Sequence, residues 1–258
     1  NEVKIIVLIH YFGYEQPIDE VRKICDDHNI ILIEDCAQAL FSKGNDGKYL
    51  GGKGDISLFS LPKSLPVPEG ALFFFNNKNL EPKNLVSKFS LNHILSHLFH
   101  TIFLLINSLK VKSLTLKKIT NILASKIYWS GYYFFMMRMD HYSSISSHTS
   151  RLLSDIDYEI LISHKIFNNK FIQNIIKGKL SLFPTAPDKI SLGLIIFSDN
   201  RDLMVSKLKQ KNIEPIIINE TRDNYGRWNY IPDKELFPNE DYFMEKHMVI
   251  PVPYEKIA

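Results

Sequence analysis

The sequence has few cysteines, no strong excess of one charge and no long apolar run, and each absence narrows the possible classes of protein. Its 258 residues include two cysteines, Cys25 and Cys36, which are too few for a disulfide framework and favour free thiols in a reducing cytoplasm. The formal net charge is +3, and no run of lysine and arginine is long enough to indicate a nucleic-acid partner. The mild positive charge is compatible with an anionic small substrate.

Membrane and secretory segments are also missing from the sequence. The strongest apolar stretch, residues 98–106, is shorter than the roughly 20 residues that cross a bilayer, and His100 interrupts it. It predicts a buried or interface helix, with contact to a membrane surface as the alternative. The first residues do not have the pattern of a secretory signal, and we expect none. The chain begins at Asn1 instead of methionine, from which we expect a further N-terminal part in the whole protein.

The first 35 residues predict a βαβ unit. Residues 3–10 form an apolar run rich in β-branched side chains, which is typical of a buried parallel strand. A helix begins at Pro17, with acidic residues in its first turn, and residues 30–33 predict the next strand. A right-handed crossover then places Asp35 at the carboxyl end of that strand, where open α/β sheets bind ligands.

The rest of the chain predicts two further strands, a helical middle and a smaller C-terminal α+β domain. The strands are residues 55–61 and 71–76. Residues 77–173 have a helical pattern that includes an aromatic and methionine cluster at 132–139, which we interpret as core or dimer contact. The domain boundary is predicted where Pro184 and Pro187 interrupt the chain, so that residues 1–180 form the large domain and 181–258 the small one.

Within the small domain, the pattern again alternates strand and helix. Residues 192–197 predict a strand, and residues 201–211 a helix with Leu203 and Leu208 facing inward. Residues 214–218 predict a further strand.

The pattern that points to chemistry lies between residues 33 and 70. An acid, Asp35, follows an apolar strand, and Ser60 and Lys63 then stand in a turn that several prolines interrupt. A pyridoxal phosphate enzyme needs an acid to keep the pyridine nitrogen protonated and a lysine to form the Schiff base. Taken singly, each residue also fits a structural role, with Asp35 as a cap and Lys63 as a solvated surface charge.

The order and spacing of these residues resemble the DegT/StrS-type family of sugar aminotransferases. His10 to Gly13 resembles the His-x-x-Gly turn of that family, and Glu34 to Ala39 resembles its Glu-Asp-x-Ala-Gln-Ala segment. Phe59-Ser60, Lys63 and Glu69-Gly70 match its Phe-Ser, Lys-x-Leu and Glu-Gly-Gly segments in order. The resemblance implies an α/β fold of the fold-type I pyridoxal phosphate transferases, with a mixed, mostly parallel sheet flanked by helices.

The resemblance also implies a role for each matching residue. Lys63 is the Schiff-base lysine and the catalytic acid and base, and Asp35 pairs with the pyridine nitrogen of pyridoxal 5'-phosphate. Gln38 binds near the phenolic oxygen of the cofactor, and Ser60 donates to its phosphate. His10 is interpreted as a structural or supporting residue, and no metal site is predicted.

The function that the resemblance implies is transfer of an amino group from an amino acid, with glutamate favoured, to a keto nucleotide-sugar. Active sites of this fold lie at a dimer interface, so we expect a homodimer, located in the cytoplasm. The resemblance implies a role in the biosynthesis of surface polysaccharides or related sugars. Two alternatives stay open. The interval from Ser60 to Lys63 is two residues shorter than the family pattern, so that either the phosphate contact is rebuilt or Ser60 does not make it. An inactive relative that binds or assembles is favoured by two other departures: the phosphate-cradling turn of the family is expected before residue 1, and a helical pattern at residues 80–145 replaces its Asn-Tyr-Arg segment. A sugar dehydratase of the same fold would carry histidine at the position of Lys63.

Overall fold

The computed structural model describes residues 2–83, helical runs of one to three residues between 95 and 130, and residues 144–177, 180–183, 190–211, 213–217, 242–243 and 245–253. Its strands are β1 Ile5–Ile9, β2 Ile31–Asp35, β3 Ile56–Ser60, β4 Ala71–Phe75, β5 Ser181–Leu182, β6 Gly193–Phe197 and β7 His247–Pro251. The helices bounded within these ranges are α1 Ile18–His28, α2 Leu61–Ser64, α3 Ser147–Asp155, α4 Tyr158–Ile176 and α5 Arg201–Gln210.

The first sheet is built on the predicted βαβ unit. Its strand order is β1-β2-β3-β4, and β1/β2 and β2/β3 pair in parallel. Helix α1 connects β1 to β2 and buries Ile18 and Cys25 against Leu32. Ile24, on the opposite side of the helix, is exposed. The helix ends at Asn29, which adopts the left-handed conformation that asparagine tolerates.

The two faces of this sheet differ because successive side chains of a strand point to opposite sides. Glu34 of β2 lies beside Ser57 of β3, and Asp35 lies beside Leu58. The face that carries Glu34 is fully buried at Leu32, Ser57 and Phe59, and we call it the closed face. The other face, which carries Ile33, Asp35, Leu58 and Ser60, is only partly buried, and we call it the open face.

The second sheet is antiparallel, with the strand order β5-β6-β7. Its core residues Ile196, Met248 and Ile250 pack with Ile176 of α4 and with three side chains of α5, namely Met204, Val205 and Leu208. Leu208 therefore faces inward as predicted, whereas the prediction for Leu203 is wrong, since its side chain is 56% exposed.

The strand predicted at residues 214–218 is formed only at one position of its described part, and residue 218 lies outside the described residues. Within the described residues 213–217, only Ile216 forms a bridge, to Val249 of β7. Both edges of the central strand β6 are already occupied by β5 and β7, so this segment can reach only the outer edge of β7.

By its contacts the chain divides into two compact units. Residues 1–64, 73–76 and 157–258 form one unit, and residues 65–72 and 77–156 form the other. In the second unit, Glu69 accepts hydrogen bonds from the Ser146 amide and the Thr149 hydroxyl at the start of α3. The predicted boundary near residue 180 falls partly on residues outside the described ranges and stays a prediction, as does the cluster at 132–139.

Two further predictions can be compared with the described residues. Cys25 and Cys36 are both free and buried, which confirms the prediction of free thiols. Among the helices that the structure describes, none has the length and apolar content needed to cross a membrane.

Candidate active site

The four residues predicted to bind the cofactor lie at or just beyond the carboxyl ends of two neighbouring parallel strands. Asp35 ends β2 and Ser60 ends β3. Beyond the strand ends, Gln38 lies in the turn after β2, and Lys63 lies on the single-turn helix α2. The Cys36 amide donates to the Leu58 carbonyl, N to O 2.9 Å, which continues the pairing of the two segments past Asp35.

The Asp35 carboxylate has one oxygen in use and one available. Its Oδ1 accepts a hydrogen bond from the Ala37 amide at 2.9 Å, so the side chain is fixed by the turn that follows β2. Its Oδ2 has no hydrogen-bond partner among the described residues. A carboxylate held in this way can accept a hydrogen bond from a donor group of a ligand on the open face.

The direction of the Gln38 amide follows from its contact with Phe12. Gln38 Oε1 accepts the Phe12 amide at 2.8 Å. Because one end of the amide is the acceptor, its Nε2 must point away from Phe12 as a donor, and Nε2 has no partner among the described residues.

Phe12 itself is held firmly in place. Its side chain is buried with Ile195 and Val249, and its carbonyl accepts the Leu192 amide at 3.1 Å. The antiparallel sheet therefore fixes the turn that orients Gln38.

Ser60 and Lys63 complete the group on a short anchored segment. The Ser60 side chain is half-buried, and its hydroxyl has no partner among the residues described. Helix α2 is anchored by the buried side chains of Leu61 and Ser64, whereas the Lys63 side chain is exposed. The described residues thus do not bury the Lys63 side chain, which burial would favour as a neutral amine.

His10 and Glu34 form a buried pair on the closed face. Their contact was not predicted from the sequence. His10 is 0% exposed and Glu34 is 1% exposed, and His10 Nε2 lies 3.0 Å from Glu34 Oε2. The carboxylate also accepts the amides of Gly51 at 3.0 Å, Lys53 at 2.7 Å and Gly54. The sequence signal was the alternation along β2, which directs Glu34 away from the face that carries Asp35.

These hydrogen bonds decide the charge of Glu34. Burial alone would raise the pKa of the carboxyl group, but the bonds from His10, Gly54, Lys53 and Gly51 outweigh it and lower the pKa below its usual value. Glu34 is therefore an anion at neutral pH, and its four acceptor positions are filled by four N–H donors.

The side chains of His10, Glu34 and Cys36 lie close enough together to be considered as metal ligands, within 4.8 Å of one another. The filled carboxylate has no position left for an ion. Burial and the neighbouring carboxylates Glu34 and Asp35 raise the pKa of the Cys36 thiol, which disfavours the thiolate that a metal requires. This group is therefore a structural one.

The residues around the open face fit pyridoxal phosphate by their chemistry. They offer a carboxylate oxygen at Asp35, an amide donor at Gln38, a hydroxyl at Ser60 and an amine at Lys63. The cofactor presents a basic ring nitrogen, a phenolic oxygen, a phosphate and an aldehyde, which are the complementary groups.

Comparison with known sequences places the strongest likeness in this part of the chain. Residues 1–93 match the DegT/DnrJ/EryC1/StrS aminotransferase family. The chain is 37% identical over 82 residues to the GDP-perosamine synthase of Escherichia coli O157:H7, covering 31% of this chain and 22% of that protein. It is 36% identical over 79 residues to the GDP-perosamine synthase of Vibrio cholerae, covering 30% and 21%. The matches thus span less than a quarter of either relative.

Comparison with solved structures extends the likeness over nearly the whole chain. An aminotransferase of the same family from Brucella abortus superposes with a TM-score of 0.62 at 14% identity, over 97% of this chain and 60% of that one. The Helicobacter pylori aminotransferase PseC superposes with a TM-score of 0.61 at 18% identity, over 98% and 62%. At these identities the likeness concerns the fold, and it confirms the predicted α/β class with a mostly parallel sheet.

Proposed function

We propose that this chain belongs to the DegT/DnrJ/EryC1/StrS aminotransferase family, whose model matches residues 1–93, and that it supplies the cofactor-binding sheet of a pyridoxal 5'-phosphate-dependent sugar aminotransferase. The observation that carries the proposal is the placement of Asp35, Gln38, Ser60 and Lys63 beside one another at the carboxyl edge of β2 and β3. Three of these side chains present a polar atom that is unpartnered among the described residues.

Each of the four residues then has a distinct role. Asp35 Oδ2 holds the proton on the ring nitrogen, Gln38 Nε2 donates to the phenolic oxygen, and Ser60 Oγ donates to the phosphate. Lys63 Nζ would hold the cofactor aldehyde, and its amine would move a proton at the substrate carbon. When bound, the cofactor supplies an acceptor for the electrons of the broken C–H bond.

The substrates we propose are an amino acid donor, with glutamate favoured, and a keto sugar carried on a nucleotide. The support is that two of the matched relatives are named GDP-perosamine synthases. We further propose a homodimer in the cytoplasm, acting in the biosynthesis of surface polysaccharides or related sugars.

Two other functions compete with this one. The exposure of Lys63 and its short distance in sequence from Ser60 favour an inactive relative that serves in binding or assembly. A sugar dehydratase has the same fold, since a GDP-4-keto-6-deoxy-D-mannose-3-dehydratase of Escherichia coli superposes with a TM-score of 0.59. Lys63 speaks against that reaction, because the resemblance places histidine there in the dehydratases.

A trapping experiment separates these possibilities. The intact protein is incubated with pyridoxal phosphate, reduced with borohydride and digested, and the modified lysine is identified by mass spectrometry. We expect a visible absorption band before reduction and label on Lys63, and neither in Lys63→Ala. Lys78→Ala, which removes an exposed lysine, should behave as the wild type. A colourless protein, or equal label on many lysines, would leave the inactive relative as the better interpretation.

A further inference from the structure

The His10 ring is held in one protonation state by its two hydrogen bonds. Its Nδ1 accepts the Gln16 amide at 3.2 Å, and its Nε2 faces Glu34 Oε2 at 3.0 Å. A nitrogen that accepts an N–H carries no proton, so the proton lies on Nε2 and is donated to the carboxylate. The pair is thus a neutral imidazole and an anion, with every polar position of both groups filled.

This buried pair is directly connected to the main chain of Asp35. The His10 amide donates to the Asp35 carbonyl at 3.0 Å, and Glu34 is the preceding residue of the same strand. Through the Gly51 and Gly54 amides the Glu34 carboxylate also fixes the turn between β2 and β3. A side chain at Gly54 would be crowded, because a Cβ there would lie 3.0 Å from Glu34 Cγ and 3.1 Å from the Glu34 nitrogen.

We propose that His10 and Glu34 are positioning residues, which aim the Asp35 carboxylate at the cofactor through the Nε2–H form of His10. A carboxylate that binds a ring nitrogen must be placed to within about 0.5 Å. His10 and Glu34 fix the position of Asp35 from the opposite face of the strand, and they do not contact the ligand. This inference rests on the proposed function, since it concerns the same cofactor.

Glu34→Gln tests the inference with little change of shape. If the amide oxygen takes the place of Oε1, its NH2 group faces His10 Nε2, which can then only accept. The imidazole proton must move to Nδ1, where it opposes the Gln16 amide, and that bond is lost. We therefore expect the ¹⁵N spectrum of histidine-labelled protein to show the proton of His10 transferred from Nε2 to Nδ1.

The functional readouts are the dissociation constant of pyridoxal phosphate and the pH dependence of its visible band in the intact protein. We expect binding to weaken on the order of 10-fold or more in Glu34→Gln, with a shifted pH midpoint of the band. If that variant does not fold, His10→Asn retains the carboxylate and an acceptor for Gln16 but loses the donor to Glu34. We expect His10→Asn to weaken the binding of pyridoxal phosphate by the same factor.

Ser57→Ala is the matched control. Ser57 Oγ donates to the Gly51 carbonyl at 2.6 Å, so its removal loosens the same turn without touching His10. We expect its dissociation constant and band to stay close to those of the wild type. Equal weakening in Ser57→Ala, or wild-type binding in Glu34→Gln despite the moved proton, would overturn the inference alone. A wild-type protein that binds no cofactor would overturn the proposed function and the positioning role together.

Discussion

Two adjacent carboxylates on one strand, Glu34 and Asp35, have opposite surroundings. Glu34 lies on the closed face, where His10 and three main-chain amides fill its acceptor positions. Asp35 lies on the open face, where one oxygen is bonded to the Ala37 amide and the other has no partner in the described part of the chain. The closed face is therefore suited to stabilising the fold, and the open face is suited to binding a ligand.

Removing the carboxylate of the closed face should give the largest effect on stability. Glu34→Ala leaves the His10 Nε2–H and the amides of Gly51, Lys53 and Gly54 buried without an acceptor. Such losses cost about 3–5 kcal/mol when a buried charged partner is removed. Urea unfolding at pH 7 measures the change in free energy. Asp27→Ala, which removes an exposed acid, should stay within about 0.5 kcal/mol of the wild type.

If Glu34→Ala were as mild as the Asp27 control, the four hydrogen bonds would not stabilise the fold, and the distinction between the two faces would fail.

The contribution of the Glu34 carboxylate to the free energy of unfolding should decrease at acid pH. The pKa of Glu34 in the folded protein is lowered below its ordinary value of 4.5. A lowered pKa contributes stability that is complete above the unfolded value and is lost as the pH falls through the folded one. Wild-type unfolding free energy should therefore fall below about pH 4.5 more steeply than that of Glu34→Gln. Urea titrations from pH 7 to pH 3 compare the two slopes, and parallel slopes would contradict the assignment.

For the buried amine of Lys165, in contrast to the Glu34 carboxylate, the effect of burial determines the direction of the pKa shift. Lys165 of α4 is 3% exposed, and burial lowers its pKa from 10.5 to about 8. The unfolded chain binds more protons between these values, so wild-type stability should rise from pH 8 to pH 10.5. Lys165→Met should remove this rise and stabilise the protein at pH 7 by at most roughly 3 kcal/mol.

The matched control is Lys170→Met, since Lys170 is an exposed lysine of the same helix. It should change neither the stability at pH 7 nor the alkaline rise. A rise that persists in Lys165→Met would show that another group causes it.

The sequence predicted the open face better than the closed one, for a physical reason. Asp35, Ser60 and Lys63 belong to an ordered motif of local segments, and the βαβ pattern places the first two at one edge of the sheet. The pairing of His10 with Glu34 joins residues 24 positions apart, and neither alternation nor propensity specifies such a contact. In the sequence, Glu34 is marked only as the first residue of the Glu-Asp-x-Ala-Gln-Ala segment.

The errors of prediction also have physical causes. Residues 214–218 have the composition of a strand, but composition does not tell how many residues pair, and only Ile216 of the described part bridges β7. Leu203 lies next to the buried side of α5 that Met204, Val205 and Leu208 form, and a short helix leaves such a neighbouring position ambiguous.

The smallest effect on stability is expected from the carboxylate of the open face. Asp35→Ala removes one hydrogen bond, from a half-buried oxygen to the Ala37 amide, which contributes about 1 kcal/mol. The same substitution should abolish retention of pyridoxal phosphate during gel filtration, because the proton on the ring nitrogen loses its acceptor. Urea unfolding and the visible absorbance of the eluted protein measure the two effects on one sample. Comparable destabilisation by Asp35→Ala and Glu34→Ala would show that the two faces contribute equally to the stability of the fold. A small loss of stability with a complete loss of cofactor would place binding on the open face alone.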